Sequence, residues 1–328
     1  MLIKKKPVGL KENIMGEKEI DNRTFSLSSK DDDIIGKYIK IINVIRRQEE
    51  TEKEKEEISF FYRGQTQESY NPVPYALRSK QYGKEDRYWH EIQKLRENDF
   101  AQKSHLDKLS TMQHYSCPTR MMDVSSSPLT ALFFACYSLT KDAENFSNNG
   151  TVYVYAQKTK KVKYFNSDTA LILACLPKFN EEDKKLIYEI CKKCRGKLNS
   201  HWLTGKRRNV VERLYFEIRS ERPAFSQKIK CKDLLKPLFV RPNDSNQRIQ
   251  RQNGAFIIAG LTKDADDAIE QMKQLKPYKI IIPYGMKKKI LKELELLNLN
   301  RATLLPDLEN TAYYLIEKYT NKNGLYEN

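Results

Sequence analysis

Apolar positions recur along this chain at spacings that separate helices from strands. Ile34, Ile35, Tyr38, Ile41, Ile42 and Ile45 fall three and four residues apart, which predicts an amphipathic helix over 34–48. The acids Asp31, Asp32 and Asp33 precede it and suit a helix N-terminus. Ile58-Ser59-Phe60-Phe61-Tyr62 is β-branched and aromatic. It predicts a buried strand ending at Arg63-Gly64, with Pro72 and Pro74 breaking the chain beyond it. Helical spacing returns over 85–102, where Tyr88, Ile92, Leu95 and Phe100 share a side, and again over 104–114. A short strand is predicted over 119–124. Ser125-Ser126-Ser127-Pro128 then offers N-cap and first-turn residues for a nearly all-apolar helix, Leu129–Leu139. Asn148-Asn149-Gly150 reads as a turn and 151–155 as a strand.

Residues 161–236 are predicted to be mostly helical, with helices near 181–193 and 207–219. Strands at 238–240, 255–259 and 279–283 follow, with helices at 265–274, 286–298 and 310–319. Residues 1–33 carry no clear period and read as irregular, and Glu49–Glu57 as a charged helical extension or loop. No internal repeat is visible. The mixed order predicts an α+β fold, a mixed central sheet with surrounding helices. The expected organisation is an N-terminal lead, 1–57, and one domain, 58–320, carrying 161–236 as a basic, mostly helical insertion.

Composition narrows the setting. The chain has 328 residues, 39% hydrophobic and 31% charged, with a mean hydropathy of −0.72. No apolar run approaches the roughly 18 residues of a membrane helix, and Met1-Leu2-Ile3-Lys4-Lys5-Lys6 lacks a secretory apolar stretch. Cysteines at 117, 136, 175, 191, 194 and 231 are scattered, as suits reduced thiols. The expectation is a cytoplasmic protein with no membrane partner; oligomeric state is left open. Of the net charge of +16, residues 161–240 hold +10, with 19 basic and 9 acidic side chains. Such an excess attracts phosphates, nucleic acid included; it equally suits a lysine-rich solvated surface.

Chemistry concentrates in two passages. Gln113-His114-Tyr115-Ser116-Cys117-Pro118-Thr119-Arg120-Met121-Met122-Asp123 places ionisable groups between two apolar helices, where polar groups are costly unless paired. Tyr62-Arg63-Gly64-Gln65 lies upstream at the end of the buried strand. Arg63 there suits a phosphate or carboxylate, or a plain salt bridge; Gly64 permits positive φ or close approach of a ligand. His114 suits a general acid or base, or a capping histidine. Arg120 and Asp123 fall on opposite strand faces and can reach different partners or form a buried ion pair. Ser125 to Ser127 suit helix capping, at an end that also attracts anions. Cys191-Lys192-Lys193-Cys194 has metal-like spacing but lacks a second ligand pair, so no metal is expected.

These residues resemble the FRG domain family, named for a Phe/Tyr-Arg-Gly motif. Phe61-Tyr62-Arg63-Gly64-Gln65 resembles the signature, and Pro74, Leu77 and Arg78 the element after it. Gln113-His114-Tyr115, Pro118–Asp123 and Ser127–Ala135 resemble its most specific block. Arg248-Ile249, Gln252, Gly254 and Phe256 resemble a downstream element, and Ile281-Ile282-Pro283, Leu291 and Thr303–Leu308 the tail. The resemblance spans about 58–316 and departs in the basic segment before 238. It implies a bacterial or phage-related protein.

Two activities fit. The first is an enzyme similar to ADP-ribosyltransferases, with NAD as cofactor and a phosphate-bearing nucleotide as ligand. Arg63, His114, Asp123 and Gln252 are then the expected catalytic residues. Arg63, Gly64, Gln65, Thr119, Arg120 and Ser125 are the expected ligand-binding ones. Gln252 or Glu212 would supply the third position, although Gln252 is an amide and not a carboxylate base. The second is a nucleic-acid-binding or nucleic-acid-processing protein acting through residues 161–240, without NAD chemistry. A third possibility is that the motifs serve packing and capping.

Overall fold

The computed structural model describes residues 18–21, 23–28, 33–52, 56–138, 147–194, 196–226, 228–243 and 246–320. Its strands are β1 (Lys18–Asp21), β2 (Thr24–Ser26), β3 (Ile58–Gln65), β4 (Met121–Ser125), β5 (Gly150–Lys158), β6 (Lys163–Tyr164), β7 (Leu238–Arg241), β8 (Gly254–Ile258) and β9 (Tyr278–Ile282). They form one mixed sheet in the order β1-β2-β9-β5-β3-β4-β8-β7-β6. The β2–β9 and β6–β7 pairs are parallel and the rest antiparallel.

Helices pack around this sheet: α1 (Ile34–Glu52), α2 (Glu85–Leu95), α3 (Glu97–Phe100), α4 (His105–His114), α5 (Pro128–Cys136), α6 (Asp168–Ala174), α7 (Glu181–Lys193), α8 (Gly205–Glu221) and α9 (Cys231–Leu234). After them come α10 (Gln247–Arg251), α11 (Ala265–Lys273), α12 (Lys287–Leu296), α13 (Arg301–Leu304) and α14 (Leu308–Thr320). The architecture is α+β, as the pattern predicts. Asp33 accepts from the Gly36 amide at the start of α1, while Asp31 and Asp32 lie outside the described residues. Ser104 and Ser127 accept amides at the starts of α4 and α5, satisfying donors that a helix N-terminus leaves free.

The cores follow strand alternation. Phe60 and Tyr62 of β3, with Val152 and Val154 of β5, face α1, α5 and α12. Phe61, Tyr153 and Tyr155 point the other way and join Met122, Val124, Phe239 and Ile257 across β5, β3, β4, β8 and β7. Met121, Phe256 and Ile258 face a separate helical layer from α2, α4 and α6 to α8.

Several expectations change in detail. The first 33 residues include β1 and β2, because β9 supplies the partner that the local sequence does not show; residues 1–17 lie outside the description. Residues 168–234 fill one core with β4 and β8. The predicted 85–102 helix breaks into α2 and α3 at Arg96. Helix α5 ends at Cys136, and Leu139 lies outside the described residues. Among the described residues no helix is long and apolar enough to cross a membrane.

Candidate functional site

The sheet opens between β3 and β4. These strands share a single bridge, Tyr62 to Ser125, whereas β3 pairs with β5 over all eight residues from Ile58 to Gln65. Past the bridge the strands part, and Arg63 spans the gap: its Nη1 donates to the Asp123 carbonyl oxygen at 2.6 Å. A cleft of about 340 Å³ lies at this opening.

Gly64 has a local reason. A Cβ there would sit 1.9 Å from the Ala131 carbonyl oxygen of α5. Gly150 is equivalent on β5, with Ala135 O 2.2 Å from the same hypothetical atom. Both glycines seat α5 on the sheet. Helix backbone occupies the space a Cβ at Gly64 would take, φ at Gly64 is not positive, and the residue itself lines the cleft.

A turn and a short helix deliver further arginines. A 3₁₀ turn, Tyr75–Leu77, ends at Arg78 and docks through the Ala76 amide onto the Thr119 carbonyl at 3.1 Å. Arg78 donates Nε to Val73 O at 3.3 Å and lies over the Tyr75 ring. Partial burial, then the nearby Arg63 charge, lower its pKa. On the other side, α10 is tied to the end of β4: Ser125 Oγ donates to Gln252 O at 2.6 Å, and the Ser126 amide to Asn253 O at 2.9 Å. This places Arg248 at the cleft.

Arg63, Arg78 and Arg248 therefore line the same cleft as one carboxylate, Asp123. Among the described residues lining the cleft, three buried polar atoms have no protein partner, Tyr62 Oη, Arg63 Nε and Gln65 Oε1; Thr151 Oγ1, opposite Gln65 in the β3–β5 ladder, is likewise unpaired. Buried polar atoms ordinarily find partners. Tyr62, Phe134, Tyr70 and Tyr137 supply aromatic wall.

Asp123 is held from behind. Thr119 Oγ1 donates to Gln113 Oε1 at 2.7 Å, and Gln113 Nε2 donates to Asp123 Oδ1 at 2.6 Å. A narrow passage lined by Gln113, His114, Asp123, Arg248 and Gln252 continues into an outer basin of about 650 Å³, where His114, Arg248 and Asp307 reappear. His114 Nδ1 is buried without a partner. Desolvation, then Arg248, lower its pKa against the opposing pull of Asp307 and Asp123.

Of the residues singled out from sequence, Arg63, Gly64, Gln65, Asp123, Ser125 and Gln252 border the cleft, and His114 stands in the adjoining passage. Thr119 sits behind, acting through Gln113. Arg120 does not converge on Arg63. Its guanidinium pairs with buried Glu85 at 2.9 and 2.5 Å, and Lys184 reaches the same carboxylate at 3.2 Å. Glu212 is also distant in role, ion-paired along α8 with Arg208 at 2.7 Å. Ser125 spends its hydroxyl on Gln252 O and the Ser127 amide. Gln252 spends its amide nitrogen on Leu304 O at 2.8 Å. Gln113, Tyr70, Arg78 and Arg248 had no role assigned from sequence, although three of the four lie in the family-like blocks. Among the described residues no cluster of His, Cys, Asp and Glu could hold a metal ion.

Residues 58–144 match a protein-family profile described as FRG domain. The elements around Arg248 and Thr303–Leu308 lie beyond the matched stretch. Neither a curated protein nor a solved structure matches the chain.

Proposed function

Residues 58–144 are an FRG domain, and from that premise we propose that the cleft between β3 and β4 binds a phosphate-bearing nucleotide. The observation that carries this reading is three arginines facing one carboxylate around the unpartnered Arg63 Nε and Gln65 Oε1. A guanidinium donates bidentately to phosphate oxygens, and Gln65 Oε1 can accept from a ribose hydroxyl or a base amine. The aromatic wall suits a base.

NAD is the first nucleotide to test, because the chain resembles ADP-ribosyltransferases at Tyr62-Arg63-Gly64. Gln252 and Ser125 are committed to structural hydrogen bonds, so Asp123 is the carboxylate left for a transfer reaction. His114, kept neutral near pH 7 by its lowered pKa, shares the adjoining passage with Asp123 and is the candidate proton acceptor.

Calorimetry with NAD, ADP-ribose, ADP and inorganic phosphate tests binding, and nicotinamide release tests turnover. The expected result is micromolar or tighter binding of at least one nucleotide. Arg63→Ala should weaken it by roughly tenfold to a hundredfold, the worth of a charge-assisted hydrogen bond. No nucleotide binding, or equal binding by Arg63→Ala, overturns the reading.

A further inference from the structure

The basic segment carries a second feature, remote in sequence from the cleft and independent of the nucleotide reading. The loop between α7 and α8 is held in place from inside. Leu198 is buried, its amide donates to Ile229 O at 2.8 Å, and its carbonyl accepts from Tyr215 Oη at 2.7 Å. Ser200 is buried as well, and the Leu203 amide closes a turn onto its carbonyl at 3.0 Å. Between these anchors Trp202 projects outward, 88% exposed. The turn between these anchors leaves its largest apolar side chain in water.

Beside Trp202 is a depression of about 260 Å³ with Ile190, Leu198 and Leu203 among its lining residues. Lys193, Lys197 and Arg207 rim it, and among the described residues Glu189 is its only acidic lining residue. None of those three cations has an ion pair among the described residues. The strip extends further, because Lys197 faces Lys230 across an isolated bridge, and Lys228 and Lys230 are exposed.

We propose that Trp202 and the lysine–arginine rim around it form a platform for single-stranded nucleic acid. An exposed indole offers a face on which an unpaired base can stack, while the cations follow the phosphodiester chain. A duplex hides its base faces, so it would gain only the charge. An acidic peptide would likewise leave the indole unused.

Tryptophan fluorescence gives a direct readout, because the other tryptophan, Trp89, is buried. Short oligothymidylate and oligouridylate titrated into the full chain at low salt should quench Trp202, and labelled oligonucleotide should gain anisotropy. Trp202→Ala should weaken binding by roughly tenfold or more. Lys193→Ala and Lys197→Ala should each lower the slope of log affinity against log salt by about 0.7. Arg63→Ala should leave this binding unchanged, which separates it from the cleft. The DNA and RNA arms distinguish the source of the strand, and binding of either supports the platform. Absence of binding overturns the proposal. So does Trp202→Ala binding as tightly as the parent, duplex DNA binding as well as single strands, or polyglutamate quenching Trp202 equally.

Discussion

Arg63 reaches across the break in the sheet to the main-chain carbonyl of Asp123, at 2.6 Å, and not to its carboxylate. The anchoring of the arginine is therefore independent of the aspartate side chain. That side chain is held separately by Gln113 Nε2.

A charge substitution separates the two roles. Asp123→Asn should keep Arg63 in place and remove the only carboxylate that borders the cleft among the described residues. Nucleotide affinity should then rise roughly two- to fivefold, the scale of an exposed ion interaction of about 0.5–1 kcal/mol. Any transfer reaction that uses the carboxylate should disappear. Calorimetry and nicotinamide release on the same preparation check both, and weaker nucleotide binding by Asp123→Asn would contradict the arrangement.

Gly64 predicts a purely structural loss. An added methyl group at 1.9 Å from Ala131 O must displace α5 or β3. Overpacking of this kind costs roughly 1–3 kcal/mol. Gly64→Ala should lower the melting temperature by several degrees, and Gly150→Ala should act in the same way because Ala135 O lies 2.2 Å from its added atom. Differential scanning calorimetry reads both.

Arg120 predicts a larger loss away from the cleft. It is 1% exposed and joined to Glu85, itself 1% exposed. Arg120→Met strands a buried carboxylate with only Lys184, and breaking a buried pair in this way costs about 3–5 kcal/mol. The double variant Arg120→Met/Glu85→Leu should recover much of that loss, though Lys184 then lacks its strongest partner. Urea unfolding of both variants measures the difference, and full stability of the single variant would deny the ion cluster its structural role.

The helices and strands were legible because the apolar period is strong in them. The helix expected over 181–193 is α7 residue for residue, and Leu238–Arg241 and Gly254–Ile258 lie within a residue of the expected strands. The β1–β2 ribbon was not legible, since its pairing with β9 joins residues some 250 positions apart. The same limit applies to the site. Arg63 and Asp123 could be named from their strands, but that Arg120 turns to Glu85 while Arg78 turns to the cleft depends on loops that carry no period. Alternation put Arg120 and Met122 on one face, yet only the fold shows which face is already occupied by a carboxylate.

Glu85 and His114, two of the perturbed groups, predict a two-step acid response. Glu85 is pulled up by burial, but Arg120 and Lys184 outweigh this and hold it at about 2, below an ordinary glutamate near 4.3. Its contribution to stability is present above the unfolded value and is lost as the pH falls from there toward about 2. His114 is lowered by burial and by Arg248, so below about 6.5 the unfolded chain takes up a proton that the folded one resists. Stability should therefore begin to fall near pH 6.5 and fall again below about 4.3. His114→Gln should flatten the upper step and leave the lower one. Arg120→Met/Glu85→Leu should shrink the lower step, to which Glu56, Glu221 and Asp307 also contribute because their carboxyls are held low, and leave the upper. Urea unfolding midpoints across pH 3 to 8 resolve the two, and an upper step undiminished in His114→Gln would assign it to another group.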